Sequence, residues 1–158
     1  MGKRRKRHER DDRKIASDVA FVINQDDEAL SFNAKQAVIK NAIWVWTQRH
    51  GKIKGCQIWT VDARNAERKS LRHEHVVPIR VLRDQLLGMK PATTEDVLEF
   101  LKKFAIGCVV TKEEHDLLDK SGLRQSMPEG FAFDDAADPF SRYELAGIKV
   151  AETTDCSR

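Results

Sequence analysis

The sequence predicts a mostly helical α+β domain with two short strands. Its 158 residues suit a single domain, and a domain of this size buries roughly two-thirds of its unfolded surface without needing a disulfide. Apolar residues recur at helical spacing over most of the chain, whereas the runs HVVP and IGCVV are typical of strands. We expect a basic disordered tail over residues 1–12, one domain over 13–150, and a frayed terminus over 151–158.

The charge of the chain is concentrated at its start. Through Lys14 there are eight Lys and Arg residues and three acidic ones (net +5), whereas the remainder carries 20 basic and 22 acidic residues (net −2). A basic arm binds nucleic-acid phosphate through counterion release, whatever the base sequence. The residues predicted to make this contact are Lys3, Arg4, Arg5, Lys6 and Arg7. A disordered arm that keeps the protein soluble explains the same charge equally well.

Several classes of protein are disfavoured by composition. No apolar run approaches the ~18 residues of a membrane span, and the basic start is not followed by an apolar signal-peptide core. We therefore expect a cytoplasmic protein without membrane contact. The three cysteines, Cys56, Cys108 and Cys156, are widely spaced, which argues against a disulfide framework and against a zinc knuckle. Cys108 lies in an apolar run and is expected in the core.

Two helices are predicted before the first strand. Apolar residues at i, i+4, i+7 and i+8 predict a helix from about Asp12 to Asn24. A second helix over residues 31–50 is apolar around much of its circumference, and Gly51 ends it. The segments that follow are predicted as a short strand over residues 56–61 with a buried Trp59, and a loop or turn of helix over 62–70.

Two further helices and a strand are predicted in the middle of the chain. Pro78 suits the first turn of a helix over Ile79–Leu87, and Thr93 with Asp96 caps a helix over Thr94–Phe104. Residues 106–110 (IGCVV) fit a buried strand.

The last strong helix prediction places a histidine near a helix start. Thr111 and Glu114 form an S/T-x-x-E capping box for a helix over Lys112–Lys120, so His115 lies on its first turn. After Gly122 we expect a lid or loop, and one final helical turn over residues 141–146.

The stretch LRHEHVVP, residues 71–78, is the predicted centre of function. Two valines before a proline favour extended backbone, and in a regular strand His73 and His75 share one face while Glu74 points to the other. A solvated edge strand with polar residues is the alternative interpretation. A carboxylate and a neutral imidazole can hold a divalent cation with open positions for water and phosphate, while a second histidine accepts a proton from the water. A strand–strand–helix arrangement that includes His115 would complete such a site.

Two short motifs resemble those of the HNH, or ββα-metal, endonucleases. EHVVP, residues 74–78, is similar to the first strand of that family, and VTKEEH, residues 110–115, is similar to its helix start. The resemblance covers about residues 71–120. It implies a small ββα-metal core in which residues 79–104 are a helical insertion between the two strands.

The resemblance implies a set of roles and an activity. Glu74 and His115 would be metal ligands and His75 the general base of a divalent-metal-dependent DNA endonuclease that leaves a 5′ phosphate and a 3′ hydroxyl. Mg²⁺ or Mn²⁺ is the expected metal, and Zn²⁺ or Ni²⁺ would also suit these ligands. RNA stays open as a substrate. One such site cuts one strand, so double-strand cleavage would imply a homodimer.

Other residues compete for these roles. His73 is the ligand or the base if the strand is regular, and Asp119, one turn after His115, is either a further ligand or a solvated acid. Arg72 and Arg124 either hold DNA phosphate or are surface charges.

The same residues disfavour two other metal-dependent functions and leave one alternative open. A zinc protease is disfavoured because HEH is not H-E-x-x-H, and a cupin-type H-x-H site because the chain is mostly helical. The serious alternative is a non-enzymatic helical protein that binds nucleic acid or a partner through its basic arm.

Overall fold

The structure is a computed structural model that describes the backbone of residues 2–151 and the side chains of residues 11–151. Helices dominate this part of the chain, and the sheet has two strands, which confirms the predicted α+β class. The elements are α1 (Gly2–Asn24), α2 (Phe32–Thr47), α3 (Val61–Asn65), β1 (Leu71–His75), α4 (Ile79–Leu87), α5 (Thr94–Phe104), β2 (Gly107–Thr111), α6 (Lys112–Lys120) and α7 (Ser141–Leu145). No helix within the described residues combines the length and apolarity needed to cross a bilayer.

The chain divides into two compact units. The first contains Met1–Trp46 and Ile79–Ala105, and the second contains Thr47–Pro78 and Ile106–Arg158. In the first unit α1 packs along α5, and Asn24 exchanges two hydrogen bonds of 2.8 and 2.9 Å with the backbone of Ala92, just before α5. The buried apolar side chains of this unit include Val19, Ile23, Ile39, Ile43, Trp46, Leu82, Leu86, Val97, Leu98, Phe100, Leu101 and Phe104.

The start of α1 corrects the prediction of a disordered tail. The helical backbone begins at Gly2, well before the expected start near Asp12. Lys, Arg and Glu are good helix formers, and between Gly2 and Asn24 there is no proline or further glycine to interrupt the helix. The side chains of Lys3, Arg4, Arg5, Lys6 and Arg7, and with them the predicted phosphate contact, lie outside the described residues.

The predicted strand over residues 56–61 is also corrected. Only single bridges form here, from Trp59 to Val109 and from Thr60 to Val150. Pairing stops because Thr60 becomes the N-cap of α3, where its Oγ1 accepts a 3.2 Å hydrogen bond from Ala63 N. Trp59 is half-buried rather than buried.

Other boundaries differ by small amounts. Helix α2 ends at Thr47, short of residue 50, and Gly51 has the left-handed φ of 110° expected of a glycine after a helix. Helices α4, α5 and α6 have their predicted bounds, and both capping boxes are formed. Of the terminus expected to fray, Ala151 is buried and its N–H donates to Trp59 O at 2.8 Å; residues 152–158 lie outside the described part.

The second unit contains the predicted strand–strand–helix arrangement. Strands β1 and β2 are antiparallel, with Glu74 opposite Cys108 and His73 opposite Val109, and α6 packs on both strands. The two strands are separated in sequence by α4 and α5, as the predicted insertion requires. The core of this unit is formed by the buried residues Val76, Cys108, Val110, Leu118, Leu123, Tyr143 and Ile148.

Candidate functional site

The helix that carries His115 is fixed at its first turn. Thr111 Oγ1 accepts a 3.1 Å hydrogen bond from Glu114 N, and the Glu114 carboxylate accepts one of 2.8 Å from Thr111 N. The same carboxylate, which is buried, also accepts a 2.7 Å hydrogen bond from Thr60 Oγ1. This network ties the start of α6 to the segment before α3, and so fixes the backbone position of His115.

Glu74 and His115 meet as the sequence predicts. Nε2 of His115 lies 3.5 Å from Oε2 of Glu74, and the two side chains are 32% and 16% exposed. Nδ1 of His115 lies 3.7 Å from a carboxylate oxygen of Asp116. The pair is thus shielded by protein on most sides but still open to solvent on the His115 side.

Arg142 holds the other oxygen of Glu74. Its Nη2 donates to Glu74 Oε1 at 2.7 Å and also to the carbonyl oxygen of His75. Its Nε donates to Val76 O at 2.6 Å, and its Nη1 donates to Leu123 O at 2.7 Å and Arg124 O at 3.4 Å. The five N–H groups of a guanidinium therefore meet five acceptors, as a fully buried arginine requires.

The two strand histidines lie on the face of β1 opposite Glu74, as the alternation of a strand requires. Both are buried, and their rings meet edge to face with centroids 5.3 Å apart. Nε2 of His75 lies 3.0 Å from Oγ1 of Thr47. Burial, together with His73 and Arg142 nearby, lowers the pKa of His75 to about 3, and burial also lowers the pKa of His73. Both rings are neutral at cellular pH.

Gly107 makes room for the His73 ring. A Cβ atom at Gly107 would lie 2.5 Å from Nε2 of His73 and 3.2 Å from the carbonyl oxygen of Thr47. Only a residue without a side chain lets β2 pass this close to the ring, so the glycine at the start of β2 is a packing requirement of the histidine face.

The spacing of Glu74 and His115 fits one metal ion. Two ligand atoms bound about 2.1 Å from the same ion, at angles between octahedral and tetrahedral, lie roughly 3.0 to 3.4 Å apart. The observed 3.5 Å is close to this range. Within residues 11–151 no group of three or more His, Cys, Asp or Glu side chains is arranged to hold a metal. A metal here would therefore have two protein ligands and keep its other positions for water and phosphate.

The remaining predicted site residues are placed elsewhere. Asp119 is exposed and forms a 3.4 Å surface ion pair with Arg124, away from the Glu74–His115 pair. Arg72 is exposed on β1, on the same strand face as Glu74. The structure thus brings together Glu74 and His115 and does not bring the ring of His75 to them. The roles of base and ligand stay predictions.

Sequence reasoning missed Arg142 and Tyr143, whereas Cys108 is buried as predicted. Cys108 and Tyr143 are fully buried beside this charge cluster, and burial raises the pKa of both side chains well above its usual value. The one local indication is a basic residue between two aromatic ones, Phe140 and Tyr143, in a segment predicted as a single helical turn. Such a turn is too short for periodicity to show which side faces inward.

Comparison with known proteins gives no relative. No family model, no curated protein and no solved structure matches the chain with statistical significance.

Proposed function

We propose that the protein is a divalent-metal-dependent endonuclease that hydrolyses DNA phosphodiester bonds at an HNH-type site. The observation that carries this proposal is the 3.5 Å separation of Glu74 Oε2 and His115 Nε2 on a strand–strand–helix frame. A carboxylate and an imidazole at this spacing are a suitable pair of ligands for Mg²⁺ or Mn²⁺, and also for Zn²⁺ or Ni²⁺. A cytoplasmic location belongs to the same proposal.

The protein's own contribution at this site is orientation. Arg142 fixes Oε1 of Glu74, which leaves Oε2, the atom nearest His115, as the metal-binding oxygen. The capping network of α6 sets the position of His115 from the other side. A bound divalent ion would polarise the scissile phosphate and stabilise the leaving 3′ oxygen.

His75 is the base that the HNH resemblance implies. Burial lowers its pKa to about 3, so the ring is neutral at cellular pH but only weakly basic, and a base role requires a less buried ring whose pKa lies nearer the working pH. The ring contacts Thr47 on the face of β1 opposite Glu74, so the backbone at the end of β1 would have to rearrange before the ring could reach a water beside the Glu74–His115 pair. His73, which shares its face, is the other candidate.

Cleavage of supercoiled plasmid with Mg²⁺ or Mn²⁺ tests the proposal. Nicking should stop with EDTA and fall at least 100-fold in Glu74→Gln and His115→Ala, because each removes one ligand. Glu113→Gln is the matched control, since Glu113 is an exposed acid on the same first turn of α6. Comparing His75→Ala with His73→Ala identifies the base. Nicking that persists in EDTA, or in both ligand variants, contradicts the proposal.

The second candidate is a non-enzymatic protein that binds nucleic acid or a partner through its basic arm. It is favoured because, among the residues whose side chains are described, no third His, Cys, Asp or Glu is arranged with Glu74 and His115 to hold a metal. This candidate predicts that DNA binding is retained in EDTA and in His115→Ala, while plasmid is never cut.

A further inference from the structure

A cluster of positive charge leads into β1. Residues 64–72, which we call the basic turn, connect α3 through a single 3₁₀ turn (Arg68–Ser70) to the first strand. Its exposed basic side chains are Arg64, Arg68, Lys69 and Arg72. Glu67 is its one acid, while the chain after Lys14 is net negative. The basic turn is therefore a local positive patch on a body that is otherwise acidic.

The ion pair that Lys69 forms within the basic turn is a weak one. Lys69 lies 2.8 Å from Glu67, but both side chains are largely exposed, and such surface pairs are weak and easily exchanged. A polyanion competes well for a lysine in this situation because it offers several charges at once and releases counterions.

Arg72 is held in a fixed orientation by the turn itself. Its Nη1 donates to the carbonyl oxygens of Lys69 at 3.0 Å and Leu71 at 2.8 Å. These hydrogen bonds use only Nη1. The Nε–Nη2 edge of the guanidinium, which can bind two phosphate oxygens side by side, is left for another partner. Because the guanidinium is already anchored, binding a phosphate costs less side-chain entropy than it would for a free arginine.

The position of Arg72 relates the basic turn to the candidate metal site. Residues two apart on a strand share a face and lie about 7 Å from each other, so Arg72 and Glu74 are neighbours on the same side of β1. A nucleic-acid strand with one phosphate on Arg72 would carry its next phosphates past Glu74 and His115.

We propose that the basic turn binds the phosphate backbone of DNA, with Arg72 as the bidentate contact nearest the Glu74–His115 pair. The DNA-binding surface stands on the charge and geometry of the turn alone. Only its role in delivering a phosphate to the pair rests on the proposed nuclease function.

The test is DNA binding without cleavage. Fluorescence anisotropy of the full chain with a short labelled DNA duplex is measured in EDTA over a series of salt concentrations. Arg72→Ala should raise Kd about tenfold and reduce the slope of log Kd against log salt by about one. Arg72→Lys should keep the slope but lose part of the affinity, because an ammonium cannot form the two parallel hydrogen bonds. Lys120→Ala, an exposed lysine at the other end of α6, should bind as the unmodified protein does.

Each outcome separates this proposal from the nuclease. Arg72→Ala with unchanged affinity and salt slope overturns it, and shows that the basic arm or another surface supplies the binding. Weaker binding by Arg72→Ala in a protein that never nicks plasmid supports the surface and rejects the nuclease. If the protein nicks plasmid and Arg72→Ala binds DNA as tightly as the unmodified protein, the nuclease is supported and the basic turn is rejected as the DNA-binding surface. An RNA duplex that is bound while the DNA duplex is not would also overturn the proposal.

Discussion

Arg142 donates a 2.7 Å hydrogen bond from Nη2 to Oε1 of Glu74, and no part of the arginine side chain reaches solvent. A buried charge is tolerated when it is paired and its donors are satisfied. Glu74 supplies the charge, and the carbonyl oxygens of His75, Val76, Leu123 and Arg124 accept the remaining N–H groups. One side chain thus connects the end of β1, the turn after α6 and the candidate metal ligand.

Replacing Arg142 should therefore cost more than replacing any surface arginine. We expect Arg142→Lys to lower the free energy of unfolding by about 3 kcal/mol or more, because three donors cannot replace a planar fork of five and buried carbonyls lose their partners. Urea unfolding measures this. Arg124→Lys, in the exposed pair with Asp119, should change stability by less than about 1 kcal/mol. Equal effects of the two substitutions would contradict the structural role of Arg142.

The buried histidines predict a loss of stability in mild acid. The folded pKa of His75, about 3, lies below the unfolded value of about 6.5, so the unfolded state binds more protons between these pH values. The stabilisation is complete above about pH 6.5 and is lost as the pH falls through this window; the lowered pKa of His73 acts in the same direction.

Urea unfolding at a series of pH values tests this prediction. His75→Gln should remove up to about 1.4 kcal/mol per pH unit from the slope of unfolding free energy against pH between about pH 6 and 4. Gly88→Ala, which removes no titratable side chain, should keep the slope of the unmodified protein. If unfolding free energy depends on pH with the same slope in His75→Gln and in the unmodified protein, His75 is not buried in the folded state.

Gly107→Ala should destabilise the protein through its contact with His73. The new methyl group would lie 2.5 Å from the ring nitrogen, and we expect a loss of about 1–3 kcal/mol, as is usual for an overpacked site. In the double variant with His73→Ala the clash disappears, so a double-mutant cycle should show a favourable coupling. Gly88→Ala is the control because its nearest atom would be 3.4 Å away. Additive effects of the two substitutions at 107 and 73 would argue against this contact.

The two capping boxes offer a matched pair of substitutions. Thr93→Ala and Thr111→Ala each remove an N-cap, and each should cost about 1 kcal/mol or somewhat more. If the proposed nuclease function is correct, Thr111→Ala alone should also slow plasmid nicking, because α6 carries His115. Equal nicking by the two variants would show that the cap of α6 does not control the site.

The elements predicted correctly are those determined by neighbouring residues. The bounds of α5 and α6 follow from a threonine and an acid three residues apart, and β1 follows from two valines before Pro78. The meeting of Glu74 and His115 was also predictable, since a strand pair followed by a helix brings them together.

Features that depend on distant residues were not predictable. The partners of Arg142 on β1 are more than sixty residues away in the sequence, and Thr60 reaches Glu114 across a similar distance. Nothing local indicates that these side chains meet. The early start of α1 has a different cause: a run of like charge is typical of a disordered tail, but Lys and Arg also have high helix propensity, and here the helix extends through them.

The division of the chain has a consequence for how this fold can be inherited. Each unit is made of two segments, and the segments of the two units alternate along the sequence. No single continuous stretch of coding sequence therefore contains β1, α6 and Arg142 without also containing α4 and α5. A recombination event that moved the Glu74–His115 pair into another protein would have to carry these two helices with it.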